Sequence, residues 1–205
     1  MEIRRAGTRA LLLDLGDATL VEAWRDDLWR RRAAGEFTAD EIVPGARTVL
    51  LDGVADPSAL ARLLRGWPPP VPAAPAAGSL VEIPVRYDGP DLTSIAELWG
   101  VDVRTVVDRH LGTEFRVAFC GFAPGFAYMT GLGADLAVPR LPSPRPRVPP
   151  GGVALADVYC GIYPNASPGG WRLIGRTDAT LFDPGRREPA LLTPGTRVRF
   201  IEATP

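Results

Sequence analysis

Lysine is absent: all 23 basic residues are arginine. Without it there is no Schiff base to a carbonyl substrate, no pyridoxal-phosphate anchor and no phosphate-binding loop ending in Gly-Lys-Ser/Thr. Any carboxylate or phosphate must be met by guanidinium forks. Histidine occurs once, at His110, and cysteine twice, at Cys120 and Cys160. That set makes neither a zinc site nor a disulfide scaffold, so no metal is expected and a reduced, cytoplasmic setting is. The five serines include no Gly-x-Ser-x-Gly elbow, and Ser167 lies in NASPGG instead. Gly131-Leu132-Gly133 starts like a dinucleotide fingerprint but lacks the third glycine. A net charge of -1 provides no basic field for nucleic acid. The apolar run before Asp14 is too short for a signal peptide or a membrane span, so no membrane partner is expected. So few nucleophiles and bases leave an autonomous hydrolase little to work with.

What is present is enough for a core: 46% of the 205 residues are hydrophobic, which suits one large domain or two small ones. Thr8 to Leu15 reads as a strand, followed by an amphipathic helix to about Ala34. Its apolar stripe is Leu20, Val21, Trp24 and Leu28, with Asp26-Arg30 and Asp27-Arg31 spaced to pair. A second strand is expected around Ala46 to Leu51, and a second helix opening at Asp56-Pro57. The segment 66–78 is rich in proline and alanine and free of charge, and reads as a linker. Beyond it, Leu80 to Tyr87 alternates like a strand, with Pro84 restricting it to an edge or bulge. Asp91 to Trp99 and Asp102 to Leu111 read as helices. Glu114 to Cys120, Gly152 to Tyr159, Trp171 to Arg176 and Arg197 to Glu202 read as strands of a compact barrel. The expected division is therefore an α/β domain over 1–78 and a mainly-β domain over 79–205.

The chemistry concentrates between Cys120 and Thr177, where ten glycines and nine prolines fall in 58 residues. Turns alone do not ask for aromatic side chains beside each Gly/Pro pair. Phe122, Phe126, Tyr128, Tyr163 and Trp171 would wall a binding surface, and the glycines would let backbone N–H groups approach a ligand. Arg140, Arg145, Arg147, Arg172 and Arg176 supply candidate guanidinium ligands, Arg145 being stiffened by proline on both sides. The plain alternative for each is a solvated ion pair. His110 could serve as general acid/base with Glu114 orienting it, or could simply cap its helix.

The blocks GFAPGFAYMTGL, PRLPSPRPRVPPGGVAL, GIYPNASPGGWRLIGRT and LFDP, in this order, resemble the 5-oxoprolinase B-subunit family, also known as allophanate hydrolase subunit 1. The likeness extends through VVDRH and EIPVRYDGPDL back to IVPGARTVLL, and departs at Ala127, where the family commonly has proline. The resemblance implies an α+β fold class: a small N-terminal α/β, ferredoxin-like domain and a C-terminal cyclophilin-like β-barrel. It implies two partners, a homologous cyclophilin-like C subunit and a separate A subunit. Together they would open the lactam of 5-oxo-L-proline to L-glutamate with ATP, which this chain need not itself bind. His110, Arg145, Arg147 and the SPGGW loop with Arg176 stand at family-typical positions. The site expectation thus names His110 and Glu114 as catalytic. It names Phe122, Phe126, Arg140, Arg145, Arg147, Tyr163, Ser167, Gly169, Gly170, Trp171 and Arg176 as substrate-binding. Two other roles fall within the same likeness: a module inhibiting a sensor histidine kinase, and a urea/allophanate-type carboxyltransferase component.

Overall fold

A computed structural model of the chain describes residues 1–71 and 79–203. Most of the proline/alanine linker, residues 72–78, lies outside the described residues. The chain separates into two compact units, Met1–Ala76 and Ala77–Pro205.

The first unit contains β1 (Glu2–Arg5), β2 (Leu11–Asp14), α1 (Ala18–Ala33), β3 (Glu41–Pro44), β4 (Thr48–Asp52) and α2 (Pro57–Arg65). Helix α1 starts where the Asp17 carboxylate accepts from the Thr19 N–H, and α2 where Asp56 accepts from Ser58 and Ala59 with Pro57 just inside. Val21, Trp24 and Leu28 of α1 join Leu11, Leu13, Val49, Leu51, Leu60 and Leu64 in one core, while Leu20 is only partly buried. Arg31 pairs with Asp27 at 2.7 Å, and Asp26 is taken by Arg25 rather than Arg30. The sheet order β1-β2-β4-β3 is antiparallel between neighbours. β2-α1-β3 is a split β-α-β unit with β4 inserted between its strands. A ferredoxin-like chain runs βαββαβ, whereas here it runs ββαββα, and the strand beside β2 precedes it instead of following the last helix. That refines the ferredoxin-like expectation.

The second unit contains β5 (Leu80–Val85), α3 (Leu92–Trp99), α4 (Val103–Gly112), β6 (Glu114–Cys120), β7 (Ala127–Thr130), β8 (Arg145–Val148), β9 (Gly152–Ala156), β10 (Tyr159–Ile162), β11 (Ser167–Gly169), β12 (Arg172–Arg176) and β13 (Arg197–Glu202). Seven strands run in the order β12-β9-β10-β7-β6-β13-β5, and β8 pairs with β11 in a separate ribbon. The ends of the seven-strand order meet: Arg86, just past β5, exchanges 2.9 Å backbone bonds with Arg176 of β12, and Asp91 N–H reaches Leu173 C=O at 3.1 Å. The sheet thus closes into the expected cyclophilin-like barrel, with Pro84 in the last strand of that order, where a missing N–H is tolerated. The segment expected as one strand from Gly152 to Tyr159 is instead a hairpin, β9 and β10, turning at Asp157, whose φ of 53° is left-handed.

The barrel is buried on both sides of β9. Val153 and Leu155 face an interior core with Phe115, Met129, Ile174 and Phe200, sealed by Ile95 of α3 and Val106 of α4. Ala154 and Ala156 face an outer cluster with Phe126, Tyr163 and Trp171. This explains why β9 is apolar at every position instead of alternating. The closing seam leaves no room for side chains: a Cβ on Gly175 would sit 2.3 Å from the Arg86 carbonyl oxygen. Gly175→Ala is expected to destabilise the barrel by about 2 kcal/mol through this overpacking. Urea unfolding checks it, and an unchanged midpoint would show that the seam yields freely.

Candidate active site

The outer cluster opens into a pocket of about 370 Å³. Three parts build it: the β6–β7 connection with Phe122 and Phe126, the proline-rich run Arg140, Leu141, Pro142 and Pro144, and the stretch from Tyr163 through Pro168, Gly169 and Gly170 to Trp171. Phe126, Tyr163 and Trp171 are almost fully buried as its floor, while Phe122 is 62% exposed at its edge. The rings meet edge to face: Phe126–Trp171 at 5.4 Å and 86°, Phe126–Tyr163 at 5.3 Å and 76°, Tyr128–Trp171 at 5.5 Å and 71°. This is the favoured quadrupole arrangement, and it makes a preformed apolar wall. Gly161 of β10 makes it possible, because a Cβ there would lie 2.9 Å from both Phe126 and Trp171 ring atoms.

The structure brings Phe122, Phe126, Arg140, Tyr163, Gly169, Gly170 and Trp171 together in this pocket. It does not bring in the other named arginines. Arg145 is bound at 2.7 Å to Asp91, whose second oxygen accepts the Leu173 N–H at 2.6 Å. Its other contact is the Trp171 carbonyl oxygen at 3.4 Å. Arg145 therefore ties β8 to the start of α3 and to β12, a structural role outside the pocket lining. Arg176 pairs with Asp88 at 2.8 Å, and Arg172 donates to Ser94 Oγ and the Pro139 carbonyl. Arg147 is exposed on β8 and outside the pocket lining. Ser167 buries its Oγ without a hydrogen-bond partner in the β8–β11 ribbon, also outside the lining. Asp91, legible in sequence only as a helix opener, gives α3 no side-chain cap and instead organises this whole corner.

His110 requires the largest revision. It is fully buried in the barrel interior, against Phe115 and Phe200, and lines no part of the aromatic pocket. Nδ1 lies 2.8 Å from Tyr87 Oη and Nε2 3.4 Å from Cys160 Sγ. Burial drives its pKa from 6.5 down to about 3, and raises those of Tyr87 and Cys160. The ring thus sits as a core residue, fully buried with both nitrogens within reach of Tyr87 and Cys160 and away from the aromatic pocket. The capping reading is also replaced, since the ring bonds to Tyr87 and Cys160. Glu114 is no orienting partner: its carboxylate is held by Arg197 at 2.6 and 2.8 Å on the barrel surface. No group of three or more His, Cys, Asp or Glu suited to a metal ion exists among the described residues. Nor is any of their helices long and apolar enough to cross a membrane.

A closed barrel with an aromatic pocket on its outer face, preceded by a split β-α-β unit, defines a carboxyltransferase-domain protein. The family described as carboxyltransferase domain, subdomain C and D, matches residues 1–192. Within that class, the chain belongs to the 5-oxoprolinase B-subunit family. It is 38% identical to the 5-oxoprolinase B subunit of Escherichia coli O157:H7 over 205 residues, covering 95% of this chain and 93% of that one. The crystal structure of TTHA0988 is similar with a TM-score of 0.77 at 38% identity, over 97% of this chain but only 40% of that chain. The Kluyveromyces lactis urea amidolyase shares the fold, with a TM-score of 0.71 at 21% identity over 98% of this chain and 15% of that chain.

Proposed function

We propose that this chain is the B subunit of a multi-subunit cytoplasmic 5-oxoprolinase, contributing to ATP-dependent hydrolysis of 5-oxo-L-proline to L-glutamate and inactive alone. The observation that carries this reading is a preformed aromatic pocket with one arginine and no carboxylate, imidazole or thiol in its lining. Such a pocket can hold a small molecule, but the hydroxyls of Tyr128 and Tyr163 are the only proton-exchanging side-chain groups in its lining, and both lack a carboxylate or imidazole beside them there to activate water. On this reading the groups that drive the chemistry are supplied by other chains, which accords with the name of the Escherichia coli relative.

ATP does not suit this pocket. The pocket offers one guanidinium against a triphosphate, which would leave most of its charge unmet. Nucleotide and lactam activation are therefore assigned to the partners, a homologous cyclophilin-like C subunit and a separate A subunit. Co-expression with both should give ATP-dependent glutamate release from 5-oxo-L-proline, with none from this chain alone. Undiminished release when this chain is omitted would sink the reading.

A further inference from the structure

We infer that the aromatic pocket is a binding site for a compact ring carrying a single carboxylate, with Arg140 as the ligand of the carboxylate and Phe122 as the outer wall. The inference rests on the enzyme reading for its substrate class but on the pocket itself for its chemistry.

Arg140 is the only charged residue in the lining. It is exposed and makes no salt bridge among the described residues, whereas Arg145 and Arg176 are held by Asp91 and Asp88. A second cavity, of about 300 Å³, is lined by Arg140 and Asp157 together, but the two form no ion pair. One guanidinium without an ion-pair partner matches one carboxylate in the bidentate, planar mode, and would leave most of the charge of a polyphosphate unmet. The aromatic floor selects the rest of the ligand. Its rings present edges and faces to a flat or slightly puckered ring, and about 370 Å³ falls at the small end of ligand pockets.

Phe122 supplies an independent observation. Its φ of 71° is left-handed, which bulky residues avoid, and only one other non-glycine residue among those described, Asp157, shares that conformation. Both stand at the hollows flanking Arg140. The strained backbone holds an exposed phenyl ring over the pocket edge, 5.3 Å from Phe126 and 6.2 Å from Tyr163, where a solvent-facing loop would ordinarily carry glycine or asparagine.

Isothermal titration of the full chain tests this with three probes: 5-oxo-L-proline, benzoate, and 2-pyrrolidinone, which is the lactam without its carboxylate. At least one carboxylate should saturate the wild type, and Arg140→Gln should weaken it about tenfold or more, with Arg140→Lys intermediate. The lactam without its carboxylate should bind at least about tenfold more weakly and be indifferent to Arg140→Gln. Absence of saturation by either carboxylate, or equal affinity in Arg140→Gln, overturns the assignment. If a carboxylate binds through Arg140 while the assembled complex releases no glutamate, the site stands and the enzyme reading fails. If the complex is active and Arg140→Gln leaves both KM and binding unchanged, the site fails and the enzyme reading stands.

Discussion

Asp91→Ala is expected to lower the melting temperature of the barrel by roughly 10 °C or more. Asp91 is 6% exposed and serves two partners at once, the Arg145 guanidinium at 2.7 Å and the Leu173 N–H at 2.6 Å. Removing the carboxylate strands both: a half-buried cation loses its counter-charge, and a backbone donor beside the barrel seam loses its acceptor. Breaking a buried pair from one side costs about 3–5 kcal/mol, a large fraction of a domain's total stability. Asp91→Asn retains an oxygen for Leu173 and should lose less. Arg145→Ala should also destabilise, because it leaves the carboxylate with the Leu173 N–H alone. The family likeness invites reading Arg145 as a substrate ligand, in which case its loss would reduce activity far more than stability. Its bonds to Asp91 and the Trp171 carbonyl favour a loss of stability at least as large as any loss of activity. Thermal unfolding of the three variants, with Arg145→Ala also assayed in the assembled complex, decides it, and a melting temperature for Asp91→Ala within about 2 °C of wild type would show that the corner tolerates the loss.

That reversal shows where sequence reading stops. Elements with their own local signal were legible: Glu114–Cys120 and Arg197–Glu202 carry β-branched and aromatic alternation, and Asp56-Pro57 marks a helix start by capping chemistry alone. Strands whose pairing comes from elsewhere were not. β1 (EIRR) is mostly exposed, β8 (RPRV) and β11 (SPG) are proline-bearing, and nothing in their composition distinguishes them from loops. The aromatic wall was legible because rings set beside glycine or proline, as Phe122, Phe126, Tyr163 and Trp171 are, have no structural reason to recur in turns. The fates of the polar residues were not, because each is decided by a distant partner: Asp91 lies 54 residues from Arg145, and Cys160 lies 50 residues from His110. A lone histidine before a strand looks the same in sequence whether it faces a substrate or Phe200.

The same burial makes His110 an acid-sensitive point of the fold. The unfolded chain takes up a proton below about 6.5, while the folded imidazole refuses it until about 3. The unfolded state therefore binds more protons across that window, and stability falls with acidity at up to about 1.4 kcal/mol per pH unit. Above 6.5 both states hold neutral histidine and the effect vanishes. Between pH 7 and 4.5 this one residue should contribute about 2–3 kcal/mol of destabilisation. The groups facing the ring, Tyr87, Cys160, Phe115 and Phe200, offer it no compensating negative charge, since burial holds the phenol and thiol in their neutral forms. His110→Asn should be less stable than wild type at pH 7, having lost ring packing. The gap should narrow by the same 2–3 kcal/mol at pH 4.5, where the variant has no imidazole to protonate. Surface carboxylates such as Glu114, whose pKa Arg197 lowers, are common to both proteins and cancel in the difference. Urea unfolding of the two proteins at both pH values measures it directly. A gap of the same size at pH 7 and 4.5 would mean that the folded barrel admits the proton, and with it a route for water or charge to His110 that the closed structure does not provide.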